Sequence, residues 1–261
     1  MTKFDWSHHA QLSVDERGIA TLKIVNAGTL NILGTPVIQS LREALADIAR
    51  NEAVRVVIMR GDGDKAFVAG ADIKEMADFD AHRARAFIDQ LRQLCDAVRQ
   101  LRIPVIARIP GWCLGGGLEF AVSCDLRIGS TEAKLGMPEV KVGIPSIIHA
   151  ALLPRLVGQA RANWLLLTGE IVEATEALGY GLLDRVVPTA DLDAEIDRIA
   201  GLMAGFGPAV LAQQKRLLRE WEQQPLETAI LNGVDEFAKA FGTNEPQRYM
   251  GEFVRAKQKK H

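Results

Sequence analysis

The sequence predicts an α/β fold, strands alternating with helices, followed by a helical C-terminal region. Three observations carry that expectation. Val54 to Met59 and Val105 to Ile109 are nearly unbroken apolar runs rich in β-branched residues, the habit of strands buried on both faces of a parallel sheet. Between them lie longer segments with apolar residues at helical spacing. After Pro188 the strand signals stop and only helical periodicity remains. A chain of 261 residues with 48% apolar and 25% charged composition is also too ordinary for a disordered chain, a collagen or a coiled-coil rod. It can bury a sizeable core without disulfides or a structural metal.

Taken in order, Gly18 to Val25 is mostly β-formers and ends at Asn26-Ala27-Gly28, a strand and a turn. Thr35-Pro36 then reads as a helix cap and first position, and Val37, Ile38, Leu41, Leu45 and Ile48 carry the helix to about Arg50. The strand from Val54 ends in a loop, Gly61-Asp62-Gly63-Asp64. A second helix, about Ala81 to Leu101, sets Phe87, Ile88, Leu91, Leu94, Cys95, Val98 and Leu101 on one stripe. Pro104 closes the connection to the strand Val105 to Ile109, and Pro110-Gly111 breaks that strand. The triplet Gly115, Gly116 and Gly117 opens a helix through Leu118 to Val122. Alternation continues to about Val187, which argues for a layered core. Three helical segments follow, near 191–205, 209–221 and 226–241. The last lines up Leu226, Ile230, Val234, Phe237 and Phe241, a stripe that must pack on its own core or on another subunit. The expected division is a core over 1–190 and a helical region over 191–261, likewise the expected oligomer interface.

Several function classes are disfavoured at once. A net charge of −2 leaves no electrostatic case for a nucleic-acid binder, and only Arg255 to Lys260 is basic. Cys95, Cys113 and Cys124 form no CxxC pair and no disulfide framework, which fits a reducing compartment. The N-terminus, with Asp5, His8, His9, Asp15 and Glu16, lacks a signal or transit pattern, and no stretch approaches the roughly 18 apolar residues of a membrane helix. The cytoplasm is the expected location.

The glycine triplet invites a dinucleotide fingerprint, but GxGxxG counted from Gly115 needs a small residue at 120, where Phe120 stands. Walker, GxSxG and HExxH patterns are absent. The five histidines lack ligand spacing beyond His8-His9, which reads as disordered tail. Two glycine-bearing loops remain, Phe67 to Asp72 and Leu114 to Glu119, each after a strand. Glycines there can simply make tight turns, or can let two backbone N–H groups converge on one oxygen as an oxyanion hole. Glu119 is a lone carboxylate within Leu118, Phe120, Ala121 and Val122, and Glu139 follows Met137-Pro138 twenty residues later. Each alone reads as a cap or a solvated charge; together they can divide acid and base roles.

These residues carry a resemblance. Lys65-Ala66-Phe67-Val68-Ala69-Gly70-Ala71-Asp72-Ile73-Lys74-Glu75-Met76, Gly115-Gly116-Gly117-Leu118-Glu119 with Cys124-Asp125, and Gly136-Met137-Pro138-Glu139 resemble the enoyl-CoA hydratase (crotonase) family in order and spacing. Leu167-Thr168-Gly169-Glu170 and the stretch from Ala177 to Val187 continue it over nearly the whole chain. The resemblance implies a spiral core of ββα units and a C-terminal helical region that packs between subunits, in trimers or dimers of trimers. The implied substrate is an acyl-CoA thioester, with CoA as part of the substrate, no metal and no redox cofactor. Backbone N–H groups of Ala69 and Gly116 would hold the thioester oxygen. Glu119 would deprotonate the attacking water and Glu139 would deliver a proton to the α-carbon. Possession of both carboxylates favours hydratase over isomerase or hydrolase relatives, or a non-catalytic RNA-associated one. Ala69, Gly70, Ala71, Asp72, Ile73, Gly115, Gly116 and Pro138 are the expected substrate-binding positions, with Ile147, Ile148 and His149 added for the acyl pocket.

Two departures stand out. Asn26-Ala27-Gly28 replaces the basic residue and proline that relatives place near the nucleotide end of CoA, which puts a phosphate contact in doubt. Gly143 to Ala151 replaces a glycine-rich stretch. Ile147, Ile148 and His149 there either narrow the acyl pocket or belong to a rigid helix start, with Pro145 breaking and Ser146 capping.

Overall fold

The two apolar runs lie side by side, Val57 opposite Val105 and Ile58 opposite Ile106 in parallel register. A computed structural model describes residues 6–258. Its elements run β1 (Ala10–Val14), β2 (Ile19–Ile24), α1 (Thr35–Arg50), β3 (Val56–Arg60), β4 (Ala66–Val68), α2 (Ile73–Met76), α3 (Ala81–Gln100), β5 (Val105–Ile109), β6 (Trp112–Leu114) and α4 (Gly116–Ser123). Then come β7 (Leu126–Ser130), β8 (Lys134–Gly136), α5 (Leu153–Val157), α6 (Gln159–Thr168), β9 (Ile171–Glu173), α7 (Ala174–Tyr180) and β10 (Arg185–Val187). The chain continues through α8 (Leu192–Ala204), α9 (Pro208–Trp221), α10 (Leu226–Phe241) and α11 (Glu245–Gln258).

One sheet has the order β1-β2-β3-β5-β7-β10 and the other β4-β6-β8-β9. Each turn of the chain therefore gives one strand to each sheet and then a helix: β3, β4 and α3, then β5, β6 and α4. This is the spiral of ββα units. The strands are apolar on both sides because both sides are covered. Val57, Val105 and Ala107 join the main core with α1, α3 and α4, whereas Ile19, Val56, Ile106 and Ile128 meet Leu192, Ile196 and Ala200 of α8. The first helix after residue 190 thus closes the outer face of the core sheet rather than standing apart from it. Asp125, after α4, accepts the Val105 N–H at 2.8 Å and pairs with Lys215 at 2.7 Å and Arg219 at 2.9 Å, which pins α9 to the core.

Three local readings are corrected. The cap of α1 is Gly34, not Thr35; the first-turn N–H of Thr35 and its hydroxyl both donate to the Glu75 carboxylate. A fourth helix, α11, follows the three expected ones and takes up Arg255 and Lys257, while Lys259 and Lys260 of the basic run lie outside the described residues, as does Asp5. His8 is not tail: Trp6–His8 is a 3₁₀ turn whose Trp6 Nε1 donates to Asp47 at 2.7 Å. The Asn26 side chain donates to the His8 carbonyl at 2.6 Å, so this turn braces the N-terminal segment.

Candidate active site

β4 delivers the loop Ala69-Gly70-Ala71, and pairing with the strand-like residue Leu33 decides which of its N–H groups stays free. Ala69 donates to the Leu30 carbonyl at 3.0 Å, so the donor expected at Ala69 is already committed. Leu33 accepts from Asp72 at 3.1 Å and donates to Gly70 at 3.0 Å, and Ala71 is its bridge partner. Alternation along an extended chain turns the Ala71 N–H the other way; it makes no hydrogen bond among the described residues. The expectation for Ala69 is therefore corrected to this extent: its N–H is spent on Leu30, and that of Ala71 is left free. Asp72 accepts the N–H groups of Lys74 and Glu75 as the cap of α2, and is not part of the cavity lining.

β6 delivers the second donor. Gly115 has φ +53 and ψ −128, and a Cβ there would lie 2.5 Å from Oε1 of Glu139. A Cβ at Gly117 would lie 2.2 Å from the Val68 carbonyl oxygen. Glycine is thus required for the helix start to approach both the carboxylate and β4. Gly116 opens α4, so its N–H has no partner within the helix. A Cβ at Gly116 would be 3.9 Å from the Ala71 nitrogen, which brings the two free donors together.

Glu119 projects from the first turn of α4 and is 3% exposed. Its Oε1 accepts the Ala150 N–H at 2.9 Å. Burial pushes its carboxyl up to about 8, against the pull of that N–H, and the nearby Glu139 charge adds to the rise. Glu139 lies in the 3₁₀ turn Pro138–Val142, half-buried, with Oε2 accepting from the Ser146 hydroxyl at 2.9 Å. Burial raises its carboxyl too, opposed by its own backbone N–H and by Ser146. Burial of Glu119 thus favours its protonated form in this site, whereas the resemblance implies that it starts as the base.

Both carboxylates and both donors line one cavity of about 400 Å³. Ala69, Gly70, Ile73, Gly115, Pro138 and Ile147 line it as well, and Phe87, Ile88 and Leu91 of α3 with Met76 of α2 form an apolar wall. Ile148 and His149 do not line it, contrary to expectation. Ile148 faces a neighbouring cavity of about 450 Å³ beside His82, Arg85 and Ile88. It holds φ +42, a conformation that costs a β-branched residue about 1–3 kcal/mol. His149 is buried against α3, with Nε2 3.1 Å from Oδ1 of Asp96. Ser146 caps no helix; the 3₁₀ turn Ile148–Leu152 begins without a side-chain cap. Its contact with Glu139 has no signal in the sequence, because it depends on how the segment after Gly143 folds back. The apolar wall was not among the expected site residues; the stripe of α3 that holds Phe87, Ile88 and Leu91 is the signal that could have found it.

Among the described residues no group of three or more His, Cys, Asp or Glu could hold a metal ion, and no helix is long and apolar enough to cross a membrane. Residues 15–261 match the family described as enoyl-CoA hydratase/isomerase. The crotonyl-CoA hydratase of Syntrophomonas wolfei subsp. wolfei is 34% identical over 240 residues, 92% of each chain. The short-chain-enoyl-CoA hydratase of Clostridium acetobutylicum is 32% identical over the same shares. The crystal structure of enoyl-CoA hydratase from Bacillus anthracis superposes with a TM-score of 0.91 at 31% identity, over 95% of this chain and 96% of that one. With a crotonase-type spiral core, and sequence similarity over nearly its whole length, the chain belongs to the enoyl-CoA hydratase/isomerase family.

Proposed function

We propose that this protein is a hydro-lyase that adds water across the double bond of a 2-enoyl-CoA thioester. The observation that carries the proposal is the convergence of two carboxyls and two free backbone donors on one largely apolar cavity. Attack of water on the β-carbon drives negative charge onto the thioester oxygen as an enolate forms. The N–H groups of Ala71 and Gly116 are the donors for that charge, each worth roughly 10² to 10³ in rate. One carboxyl accepts a proton from the water and the other supplies one to the α-carbon, so the pair must hold one proton in the active state. Either loading of Glu119 and Glu139 provides one acid and one base. The C–O and C–H bonds form as the π component of the C=C bond and one O–H bond of water are lost, with no net oxidation or reduction, so no redox cofactor is required. CoA enters and leaves as part of the substrate.

The test is incubation of purified protein with a panel of enoyl-CoA thioesters, following loss of the conjugated chromophore and identifying products by mass. A mass gain of one water on the intact thioester is expected. An unchanged mass with a moved double bond, or free CoA, would assign an isomerase or a hydrolase instead.

A further inference from the structure

Between Ser146 and α5 the chain makes an unfavourable turn and is pinned beside it. Ile148 sits in a left-handed conformation that its β-branched side chain rarely adopts. The next residue, His149, is 8% exposed and meets Asp96 of α3 at 3.1 Å. The residue after that, Ala150, shares its N–H between the Ile147 carbonyl of the same turn, at 2.9 Å, and Oε1 of Glu119, also at 2.9 Å. Strain of this kind persists only where the surroundings over-determine it.

We propose that His149, anchored to Asp96, is a positioning residue for Glu119: the anchor holds the turn at Ile148 and thereby aims the Ala150 N–H at the Glu119 carboxyl. The role in turnover rests on the hydratase reading; the effect on the Glu119 carboxyl does not. The imidazole lies outside the lining of the cavity, so it acts through the backbone. A neutral ring with its proton on Nε2 faces Asp96 with a donor and leaves Nδ1 a bare acceptor, which agrees with the buried Nδ1 having no partner. Burial, the largest influence on the ring, favours this neutral form. The charged groups facing the ring are Asp96, Arg99 and Arg92, all on α3, and those facing Glu119 are Glu139 and the thiol of Cys95.

The experiment compares wild type, His149→Ala, His149→Gln and His149→Asn. The glutamine amide nitrogen can stand where Nε2 does; the asparagine side chain is too short to reach it. Carboxyl NMR titration of glutamate-labelled protein, with Glu119→Gln to identify the resonance, reads the carboxyl without substrate, and steady-state hydration reads the consequence. Losing a donor to the ionised form raises a carboxyl's midpoint, so His149→Ala is expected to move Glu119 upward by about half a pH unit or more. It should also lower kcat about tenfold with KM within about threefold, as loss of a hydrogen bond to a charged group should. His149→Gln should stay near wild type in both readouts. If His149→Ala does not fold, the contrast between His149→Asn, shifted, and His149→Gln, unshifted, carries the same test. An unmoved Glu119 midpoint in folded His149→Ala or His149→Asn overturns the proposal. If the wild type hydrates no enoyl thioester, the hydratase reading fails while the titration still decides the anchor.

Discussion

Ser146 donates its hydroxyl to Oε2 of Glu139 across 2.9 Å, from the same segment whose Ala150 N–H holds Glu119. One stretch of chain therefore fixes both carboxyls. The hydroxyl favours the ionised form of Glu139, so Ser146→Ala should raise the Glu139 midpoint. The acid limb of the kcat/KM profile then moves to higher pH, and turnover falls by about tenfold, the effect of a hydrogen bond to a charged group. Ser146→Thr, which keeps the hydroxyl, should recover most of the loss. Identical acid limbs in wild type and Ser146→Ala would show the contact to be incidental.

Glu119→Gln and Glu139→Gln are each expected to lower turnover by about 10² or more while the circular dichroism of the protein is unchanged. Wild-type kcat in either variant removes that residue from the mechanism. A pair that must hold one proton gives a bell-shaped profile, and the burial of Glu119 places the alkaline limb near 8. The same shift has a stability consequence. The folded carboxyl binds its proton more tightly than the unfolded one, so stability falls as pH rises from 4.5 toward about 8. The slope is at most about 1.4 kcal/mol per pH unit. Glu119→Gln should abolish that slope and melt above the wild type at pH 8; an equal or lower melting temperature there would contradict the buried-acid reading.

Glu119 stands out in the sequence because an ionisable group among Leu118, Phe120 and Ala121 is costly unless it is used or paired, but only the family resemblance joined it to Glu139 in one site. The free donor was not legible. Whether Ala69 or Ala71 offers its N–H depends on pairing with Leu30 and Leu33, nearly forty residues away, and no local signal carries that register. The same limit hid β4, β6, β8 and β9, three residues each, too short to show a period of two. Ile148 and His149 were misplaced for a related reason: position in a motif fixes where the backbone goes, whereas the turn at Ile148 sends these side chains toward α3.

The helices that close the chain leave an apolar face in water. Leu226, Ile230, Val234 and Phe237 of α10 are 75%, 65%, 73% and 67% exposed, a contiguous stripe beyond what scattered surface residues explain. Self-association through this face is the expected outcome, and light scattering should give a trimer or a hexamer. Ile230→Glu with Phe237→Glu should shift the species downward in mass without loss of helix content. A monodisperse monomer of the wild type at micromolar concentration would mean that the stripe serves something else.

Ile147 is the residue of the 147–149 segment that reaches the cavity, alongside Ile144 and Val142. Its bulk should limit the acyl group, and each methylene accommodated or refused is worth only about 1 to 3 kcal/mol. Ile147→Ala is accordingly expected to raise kcat/KM for longer enoyl chains relative to crotonyl-CoA by about tenfold per step of that size. Ile148→Gly makes the discriminating comparison, because that side chain faces the adjoining cavity and its removal relieves a strained φ without widening the first. Chain-length preference should therefore move in Ile147→Ala and hold in Ile148→Gly. The reverse pattern would mean that substrate runs from one cavity into the other past Ile88, which lines both, and that the boundary between them is open in solution.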